Sequence, residues 1–386
     1  MAFNHRLFYA CQRAEIAPDG STTTKAIHGL QSIGINTAFN LDPVSEFGEI
    51  TLYQNIEGIP AVETTLSQVM DGSCPIYLMA TQQGTDPTLV GRSAAKCSLY
   101  LGLWPETVST TAGTQPANYV YLSGQYVSQI GWNFTTNGHF VHNVSMVGND
   151  ILWANSYSGA PTLGQITFDS TFTTGDTPVA YPSSGGVNLR QHLLMTPSVN
   201  ASGLDANGAL RDPDCSIFPS QIYGINASGV NVLASGGHSV LQSINVSCSL
   251  GREQILELGR FGLFFRYVAF HVTVTCEIEV LSSSGTMISA AESGIYARPT
   301  GAYCSDRYNL QTQTIRLATC EGTRIYLGKQ NKLTSTSYNG GDTGGSNATD
   351  TLSYQTYNDC TVMHYNDLNT SLQPTGTNGF TYLCPS

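Results

Sequence analysis

One long phrase occurs twice in this chain, and the repetition constrains the fold more than any other feature of the sequence. The segment LQSIGINTAFNLDPVSEFG at residues 30–48 aligns without a gap with LQSINVSCSLGREQILELG at residues 241–259. Both begin Leu-Gln-Ser-Ile and end Glu-x-Gly, and apolar residues keep their places between these ends, as Ile35 and Val246 do. A long-range repeat of this kind indicates two copies of one folding unit.

Further matches in the same order extend the repeat through most of the chain. YLSGQYVSQIGWNF from Tyr121 is mirrored by YLGKQNKLTSTSYN from Tyr326, and each is followed by a turn, an alternating run and an Asn-Asp pair. We therefore predict a first domain over 1–156, a loop-rich insertion or linker over 157–214, and a second domain with a C-terminal extension over 215–386. The middle segment is predicted as loop because it is rich in Gly, Pro, Ser and Asp.

The second copy contains the clearest strand signal. From Val268 to Val280 every even position is apolar. This period-two alternation predicts one strand of on the order of 40 Å with a dry face and a polar face. Such a strand suits a sheet wrapped around a water-filled space, but on this strand alone the half-buried antiparallel sheet of an ordinary all-β domain is the preferred interpretation. The polar positions in its second half are Thr273, Thr275, Glu277 and Glu279.

Each copy is also predicted to contain one short helix beside its strands. In the first copy, Asp42 is a suitable N-cap, Pro43 suits the first turn, and Gly48 ends the element. In the second copy, the corresponding helix is predicted over 253–258 and is closed by Gly259.

Composition narrows the functional classes. Only 11% of the residues are charged and the formal net charge is −11, whereas charged residues make up roughly 25% of an average globular protein. The acidic, lysine-poor chain has no basic stripe with which to hold phosphates. No apolar run approaches the ~20 residues that a membrane-spanning helix needs. We therefore expect neither stable nucleic-acid binding nor membrane insertion.

The cysteines and histidines do not form a metal-binding pattern. The 10 cysteines are scattered without metal-ligand spacing. Cys248 and Cys276 fall on the apolar side of alternating runs, so we predict that they are buried thiols in the core. His139 and His142 lie in a predicted strand at a spacing that places them on opposite faces. They are predicted to be separate surface histidines and not a zinc site.

No catalytic motif is complete. GHSVL at 237–241 resembles a nucleophile elbow but has Leu241 where a second glycine is needed. GGDTGGSNA at 340–348 lacks the lysine of a phosphate-binding loop. Glu277 and Glu279 are interpreted as surface acids on one strand face and not as a glycosidase pair. We expect a protein that is not an enzyme and that binds no cofactor or metal.

Several phrases taken in order carry a family resemblance. They are LQSIGINTAFNL, ITLYQNIEGIPAVETTLSQVMDG, YLSGQYVSQIGWNF, ELGRFGLFFRYVAFHVTVTCEIEV and NKLTSTSYNGGDTGGSNATDTLSY. Together they resemble the tail tube proteins, or major tail proteins, of tailed bacteriophages. The resemblance covers roughly residues 25–156 and 215–370, and it leaves out the N-terminus and the middle segment.

The resemblance implies a mainly β fold, a tandemly duplicated β-barrel or β-sandwich with one short flanking α-helix in each copy. It implies a structural subunit of a virion, made in the host cytoplasm, whose stacked rings form a hollow tail tube that conducts DNA during ejection without binding it specifically. The implied partners are further copies of the chain, as a trimer with pseudo-sixfold symmetry or a hexamer, and sheath, tape-measure, baseplate and tail terminator proteins. The positions implied to face the lumen are Thr273, Thr275, Glu277 and Glu279.

Two other classes of protein remain open from the sequence. A glycan-binding or adhesion module of a virion or cell surface is favoured by the 20 tyrosines and the polar strands. A capsid decoration protein would share the β-rich composition and would need a capsid lattice on which to assemble. Neither explains the duplicated unit as directly as a closed ring does, and like charge along a lumen would keep DNA phosphates from adhering.

Overall fold

The protein is mainly β, as the sequence predicts, with large antiparallel sheets and two short α-helices among the described residues. No described helix is long and apolar enough to cross a membrane. The computed structural model describes residues 11–21, 23–104, 116, 118–155, 187–190, 193–194, 241–281, 312–313, 315–319, 322–341 and 347–373.

In its described residues the first copy contains ten strands and two α-helices. In chain order they are β1 (Cys11–Pro18), β2 (Lys25–Ala26), β3 (Leu30–Ala38), β4 (Leu41–Ser45), β5 (Leu52–Glu57), β6 (Ala61–Val69), α1 (Ile76–Ala80), α2 (Leu89–Ser93), β7 (Cys97–Trp104), β8 (Asn118–Thr135), β9 (Val141–Gly148) and β10 (Leu152–Asn155).

The second copy follows the same plan in its described residues. Its elements are β11 (Leu193–Leu194), β12 (Leu241–Ser249), β13 (Arg252–Ile255), β14 (Phe265–Val268), β15 (Thr273–Leu281), β16 (Arg316–Thr319), β17 (Arg324–Tyr326), β18 (Lys332–Asn339), β19 (Thr349–Tyr357), β20 (Thr361–Met363) and a 3-10 turn (Thr370–Leu372).

Strands of both copies join in one antiparallel sheet, which we call the shared sheet. Its order is β3-β6-β9-β8-β12-β15-β19-β18, so the pairing of β8 with β12 connects the two copies. Strand β8 has 18 residues. Because it is so long, its first half leaves the shared sheet and pairs with β7 and β10 in an outer sheet that also contains β1 and β2. Strands β11-β16-β17-β20 form the corresponding outer sheet of the second copy.

The strand pairing repeats between the copies down to its irregularities. Strand β3 pairs with β6 as β12 pairs with β15, and the end of β8 pairs with β9 as β18 pairs with β19. Each pair has a bulge at the corresponding place. These bulges are at Leu30/Ser32 and Leu241/Ser243, and at Val127/Gln129 and Leu333/Ser335. Since a bulge is a specific feature of a strand pair, the two copies have the same local fold.

One apolar core lies between the shared sheet and the outer sheets. Leu99 and Leu122 of the first outer sheet, Val362 of the second, and Val274 of the shared sheet all belong to it. Alternation along the strands sends every second side chain into this core. The prediction of buried thiols is confirmed for Cys248 and Cys276, which are each 1% exposed in this core. Cys74, Cys97 and Cys360 are buried as well.

The long strand predicted over 268–280 is interrupted. Burial alternates from Val272 to Val280 as predicted, but β14 ends at Val268 and β15 begins at Thr273. Between them the chain turns from a hairpin back into the shared sheet, and the Val272 N–H donates to Asn358 Oδ1 at 2.7 Å. Phe270, predicted to face the apolar side, is exposed in this turn.

The two predicted helices are wrong. Residues 42–48 and 253–258 lie in and beside the first strands of two hairpins, in which β4 pairs with β5 and β13 with β14. A helix of one or two turns gains few hydrogen bonds for the residues it orders. The adjacent strands Leu52–Glu57 and Phe265–Val268 offer a complete antiparallel partner instead. The observed helices are α1 and α2, which follow β6.

The described strands form open sheets and not a closed barrel within one chain. The predicted domain boundaries lie outside the described residues, and so does most of the predicted linker over 157–214. Of that segment, Leu193–Leu194 pairs with β16 in the second outer sheet, and Asn188 hydrogen-bonds the backbone of Met70 and Phe140 in the first copy. The division of the chain into these domains stays a prediction.

Candidate assembly interface

The predicted lumen residues lie together on the open face of the shared sheet. Along β15 the side chains of Thr273, Thr275, Glu277 and Glu279 are exposed or half-buried, while the residues between them are buried. The Ser243 hydroxyl donates to Glu279 Oε2 at 3.0 Å. Whether this face lines a lumen depends on assembly, and it remains a prediction at the level of a single chain.

The open face is polar across several strands. In the register of the shared sheet, Thr275 lies opposite Ser247 of β12 and Gln355 of β19, and the two hydroxyls of Thr275 and Ser247 are 2.7 Å apart. Ser247 in turn lies opposite Gly131, which pairs with Asn143. The ionisable residues on the described open face include the acids Glu63, Glu277 and Glu279 and the base Lys332. This face therefore offers many neutral hydrogen-bonding groups and a weakly negative charge.

The junction of β8 with β12 is an apolar interface between the two copies. Val246 lies opposite Trp132, and Ile244 lies opposite Phe134. All four side chains are buried, as is Cys248 at the end of the same row. Apolar pairs that face each other across adjacent strands are the main stabilising unit of a sheet. The two copies are therefore joined by the same kind of buried strand pairing that joins strands within one copy.

Trp132 is the centre of this junction, and His142 packs against it. The two rings are stacked with centroids 4.8 Å apart. His142 Nδ1 donates to the Gly131 carbonyl at 3.0 Å, and His142 Nε2 accepts from the Tyr77 N–H at 3.3 Å. Burial lowers the pKa of His142 to about 4. The prediction of a surface histidine is wrong for His142, while His139 is exposed as predicted.

On the outer side of the junction, α2 and the segment before it contact the second copy. The Leu89 N–H donates to the carbonyl of Cys360 at 2.9 Å. Arg92 forms a fully buried ion pair with Asp367, and the Asn369 amide donates to the carbonyl of Gln82 at 3.0 Å. Val362 of β20, next to these contacts, is 1% exposed.

The two ends of the shared sheet are edge strands. Among the described residues, β3 pairs only with β6, and β18 pairs only with β19. Strand β3 corresponds to β12, yet Ile33 and Ile35 are only half-buried where Ile244 and Val246 are fully buried. Strand β18 corresponds to the end of β8. Tyr338 occupies the place of Trp132, and it is 61% exposed where Trp132 is 0% exposed.

A third surface shows the same contrast. Strand β10 occupies in the first outer sheet the place that β20 occupies in the second, since Trp153 pairs with Val120 as Val362 pairs with Ile325. Trp153 is 63% exposed, whereas Val362 is 1% exposed. Thr361, next to Val362, forms a β-bridge with Thr88 in the segment that leads into α2. At Tyr338 and at Trp153, therefore, one copy exposes an aromatic residue where the other copy buries the residue at the corresponding place.

The two hairpins, β4–β5 and β13–β14, project from corresponding places and are called the first arm and the second arm. Phe47 and Ile50 of the first arm and Leu258 of the second are fully exposed. Arg252 ties the second arm to the first copy, donating to the carbonyls of Val127 and Ser93, each at 2.7 Å.

Sequence reasoning missed the arms and the edge residues of β18. The available signal was a glycine in each arm, Gly48 and Gly259, both of which have positive φ. Such glycines also end helices, so the local pattern alone did not separate the two structures. Tyr338 carries no signal beyond its place in the repeat.

Metal-binding clusters are absent from the described part of the chain. Within the described ranges, no group of three or more His, Cys, Asp and Glu side chains is placed to hold a metal ion.

No protein-family model matches the chain, and no curated protein matches it at a significant level. Among solved structures, the chain is similar to the anti-feeding prophage cap, described as a tube-terminating cap, with 13% identity and a TM-score of 0.30 over 40% of this chain and 95% of that chain. It is also similar to a chain of the sixfold-symmetrised anti-feeding prophage baseplate, with 13% identity and a TM-score of 0.26 over 40% of this chain and 96% of that chain.

Proposed function

We propose that this protein is a structural, non-enzymatic subunit that joins end to end into closed rings, and that stacked rings form the tube of a phage tail. The observation that carries the proposal is the unfinished repeat. The chain contains one complete junction between copies, β8 with β12, and the two halves of a second junction, β18 and β3, at opposite ends of the same sheet.

The internal junction specifies the register of the proposed contact. Val246 pairs with Trp132 inside the chain. Their counterparts are Ile35 of β3 and Tyr338 of β18, so Ile35 of one copy lies opposite Tyr338 of the next. By the same rule Asn36 lies opposite Ser337. Pairing would bury Tyr338 and complete the burial of Ile35, and it would supply backbone partners for two edge strands.

A contact of this type is heterologous, since the two surfaces that meet are different. Heterologous contacts produce closed rings when the rotation between subunits closes, and filaments when it does not. The sequence resemblance to tail tube proteins favours closure. We favour a trimer, whose ring would contain six copies of the repeated unit and have pseudo-sixfold symmetry, with a hexamer of chains as the alternative stoichiometry.

In such a ring the shared sheets of all subunits form one continuous wall. The open face carries Thr273, Thr275, Glu277 and Glu279, and we propose that this face lines the lumen. Neutral hydroxyls and a weak negative charge suit the passage of DNA, because they give phosphates no cation on which to bind. Charged guanidiniums would have the opposite effect.

The remaining proposed partners follow from a place in a phage tail. They are the sheath, tape-measure, baseplate and tail terminator proteins, and the location is the virion after synthesis in the host cytoplasm. The exposed arms and the exposed β10 are surfaces available for contacts within and between rings. Large apolar side chains that are exposed together in this way mark a contact site.

Electron microscopy of the purified full-length protein tests the proposal. We expect rings with a central hole, or stacked rings in tubes, at micromolar concentration. A variant with Ile35→Asp serves as the matched control, since it places a charge on one edge and should leave only monomers. A wild-type protein that stays monomeric at every concentration would contradict the proposal and would favour an adhesion module.

A further inference from the structure

A cleft at the foot of the second arm holds two arginines that have no acidic partner among the described residues. The cleft has a volume of about 340 Å³ and lies between the first copy and the arm. Its lining includes Glu63, Gln129, Arg252, Gln254 and Arg266. Because the cleft is complete within one chain, its chemistry does not depend on ring assembly.

Contacts within the protein hold both guanidiniums in place, and each retains a nitrogen that donates no hydrogen bond in the described structure. Arg252 lies over the ring of Tyr126, with its Cζ 5.2 Å from the ring centroid, and two of its nitrogens donate to backbone carbonyls. Arg266 is only 5% exposed, and its Nη2 donates to Asn149 Oδ1 at 2.9 Å. Arg252 Nη2 and Arg266 Nε are buried and have no hydrogen-bond partner in the described structure.

The charges of this cleft are unbalanced. Glu63 also lines it, yet the ion pairs between described residues are Arg13–Glu15, Arg92–Asp367 and Lys96–Asp19, none of which involves the cleft arginines. Burial lowers the pKa of Arg252 to about 10, and the nearby Arg266 adds to the lowering. Two partly desolvated cations that repel each other are stabilised by an anion between them.

The first arm provides an internal comparison. By the pairing of the two hairpins, Leu41 and Asn55 occupy the places of Arg252 and Arg266. The first arm therefore has no guanidinium at its foot, and the paired arginines are particular to the second copy. If the two arginines served only the structure of the repeated unit, both arms would be expected to contain them.

We propose that this cleft is an oxyanion-binding site, which takes a carboxylate or phosphate group through Arg252 Nη2 and Arg266 Nε. Guanidinium N–H groups match the geometry of both groups and form strong, charge-assisted hydrogen bonds to them. The amide of Gln254, which lies opposite Arg266 in the arm, is a further donor in the cleft. The volume admits a small hydrated anion or an acidic side chain.

Thermal unfolding of the full chain in inorganic phosphate, with chloride adjusted to constant ionic strength, tests the site. We expect a saturable rise of Tm in the wild type. Arg266→Gln should weaken the apparent phosphate affinity on the order of tenfold or more, as expected when a charged hydrogen bond is lost. Arg260→Gln, which removes an exposed arginine of the same arm, should leave the affinity unchanged. Equal phosphate responses in the wild type and Arg266→Gln would overturn the proposal.

A second variant keeps the test decisive if Arg266→Gln fails to fold. Gln254→Glu places a carboxylate opposite Arg266, so it should raise Tm without phosphate and abolish the phosphate response. An unchanged response in Gln254→Glu would overturn the site. Acetate identifies the natural source: saturation by acetate at a concentration similar to phosphate supports a carboxylate from a polypeptide, and a response to phosphate alone supports a free phosphate group.

Discussion

The internal junction and the two ends of the shared sheet are built from corresponding strands in different surroundings. At the junction, Trp132 and Val246 are fully buried against each other. At the ends, their counterparts Tyr338 and Ile35 lie on edge strands and are exposed or half-buried. One sequence pattern thus gives a buried contact in one place and exposed or half-buried edge residues in another, and the proposed contact between chains would pair those two edges.

The two arms differ in a related way. The first arm contains Asp42, Glu46, Glu49 and Glu57 and no lysine or arginine, whereas the second contains three arginines. The second arm is tied to the first copy through Arg252 and Arg266. The arm at the internal junction therefore has fixed contacts within the chain, and the arm at the free end has none of these arginines.

The largest expected effect comes from placing a charge in each junction. Val246→Asp buries a carboxylate without a partner and should destabilise the chain by more than about 4 kcal/mol, enough to unfold much of it. Ile35→Asp makes the same change at the free edge and should cost only about 1–2 kcal/mol in the monomer while abolishing assembly. Urea unfolding and analytical ultracentrifugation measure the two effects. Similar destabilisation by both variants would remove the distinction between junction and edge.

Truncating the two aromatic counterparts sharpens the contrast. Trp132→Ala leaves a large cavity beside His142 and should cost about 3–5 kcal/mol. Tyr338→Ala removes a mostly exposed ring and should change the stability of the monomer by less than about 1 kcal/mol, yet it should weaken assembly. Unfolding curves under conditions where the protein is monomeric give the first quantity, and the concentration dependence of sedimentation gives the second. Unaltered assembly of Tyr338→Ala would place Tyr338 outside the contact.

The junction is also expected to be sensitive to acid, because His142 is buried in it. Its pKa is lowered by burial from 6.5 to about 4, so between these values the unfolded chain binds a proton that the folded chain does not. The free energy of unfolding is therefore highest above pH ~6.5, where His142 is neutral in both states. It falls by about 3 kcal/mol in all as the pH drops from there through the pKa of the folded state.

Urea unfolding between pH 7 and pH 4 checks this dependence. His142→Gln should remove this part of the loss, and His139→Gln, a change at an exposed position, should keep it. The same slope of stability against pH in the wild type and in His142→Gln would show that another group is responsible.

The smallest effect on stability, but a clear one on binding, is expected at the open face. Glu277→Lys with Glu279→Lys reverses two charges among hydroxyl groups and should leave assembly intact. The assembled variant should retain duplex DNA at low salt, with an affinity that falls steeply as salt rises. The neutral pair Glu277→Gln and Glu279→Gln should bind far less. Filter binding that gives no difference between the lysine variant and the wild type would place these residues outside the lumen.

The sequence predicted the mainly β fold and the alternation in β15 well, because both depend on local period-two patterns. The prediction of helices over 42–48 and 253–258 was wrong because capping and turn residues overlap, and the deciding factor was a pairing strand several residues away. His142 could not be placed from its spacing, since its burial depends on Trp132 of the neighbouring strand. The candidate contact was missed for a similar reason, because the exposure of Tyr338 depends on which strand lies beside it.

Disulfide trapping tests the central claim most directly. Asn36→Cys with Ser337→Cys places two thiols at the exposed positions that the internal register puts opposite each other, as Ser247 lies opposite Gly131. Under mild oxidation we expect a covalent, reducible oligomer that closes at a fixed size, with the trimer favoured. The wild type controls for native cysteines. The off-register pair Asn36→Cys with Asn339→Cys should stay monomeric, and cross-linking of that pair in place of the in-register one would contradict the account.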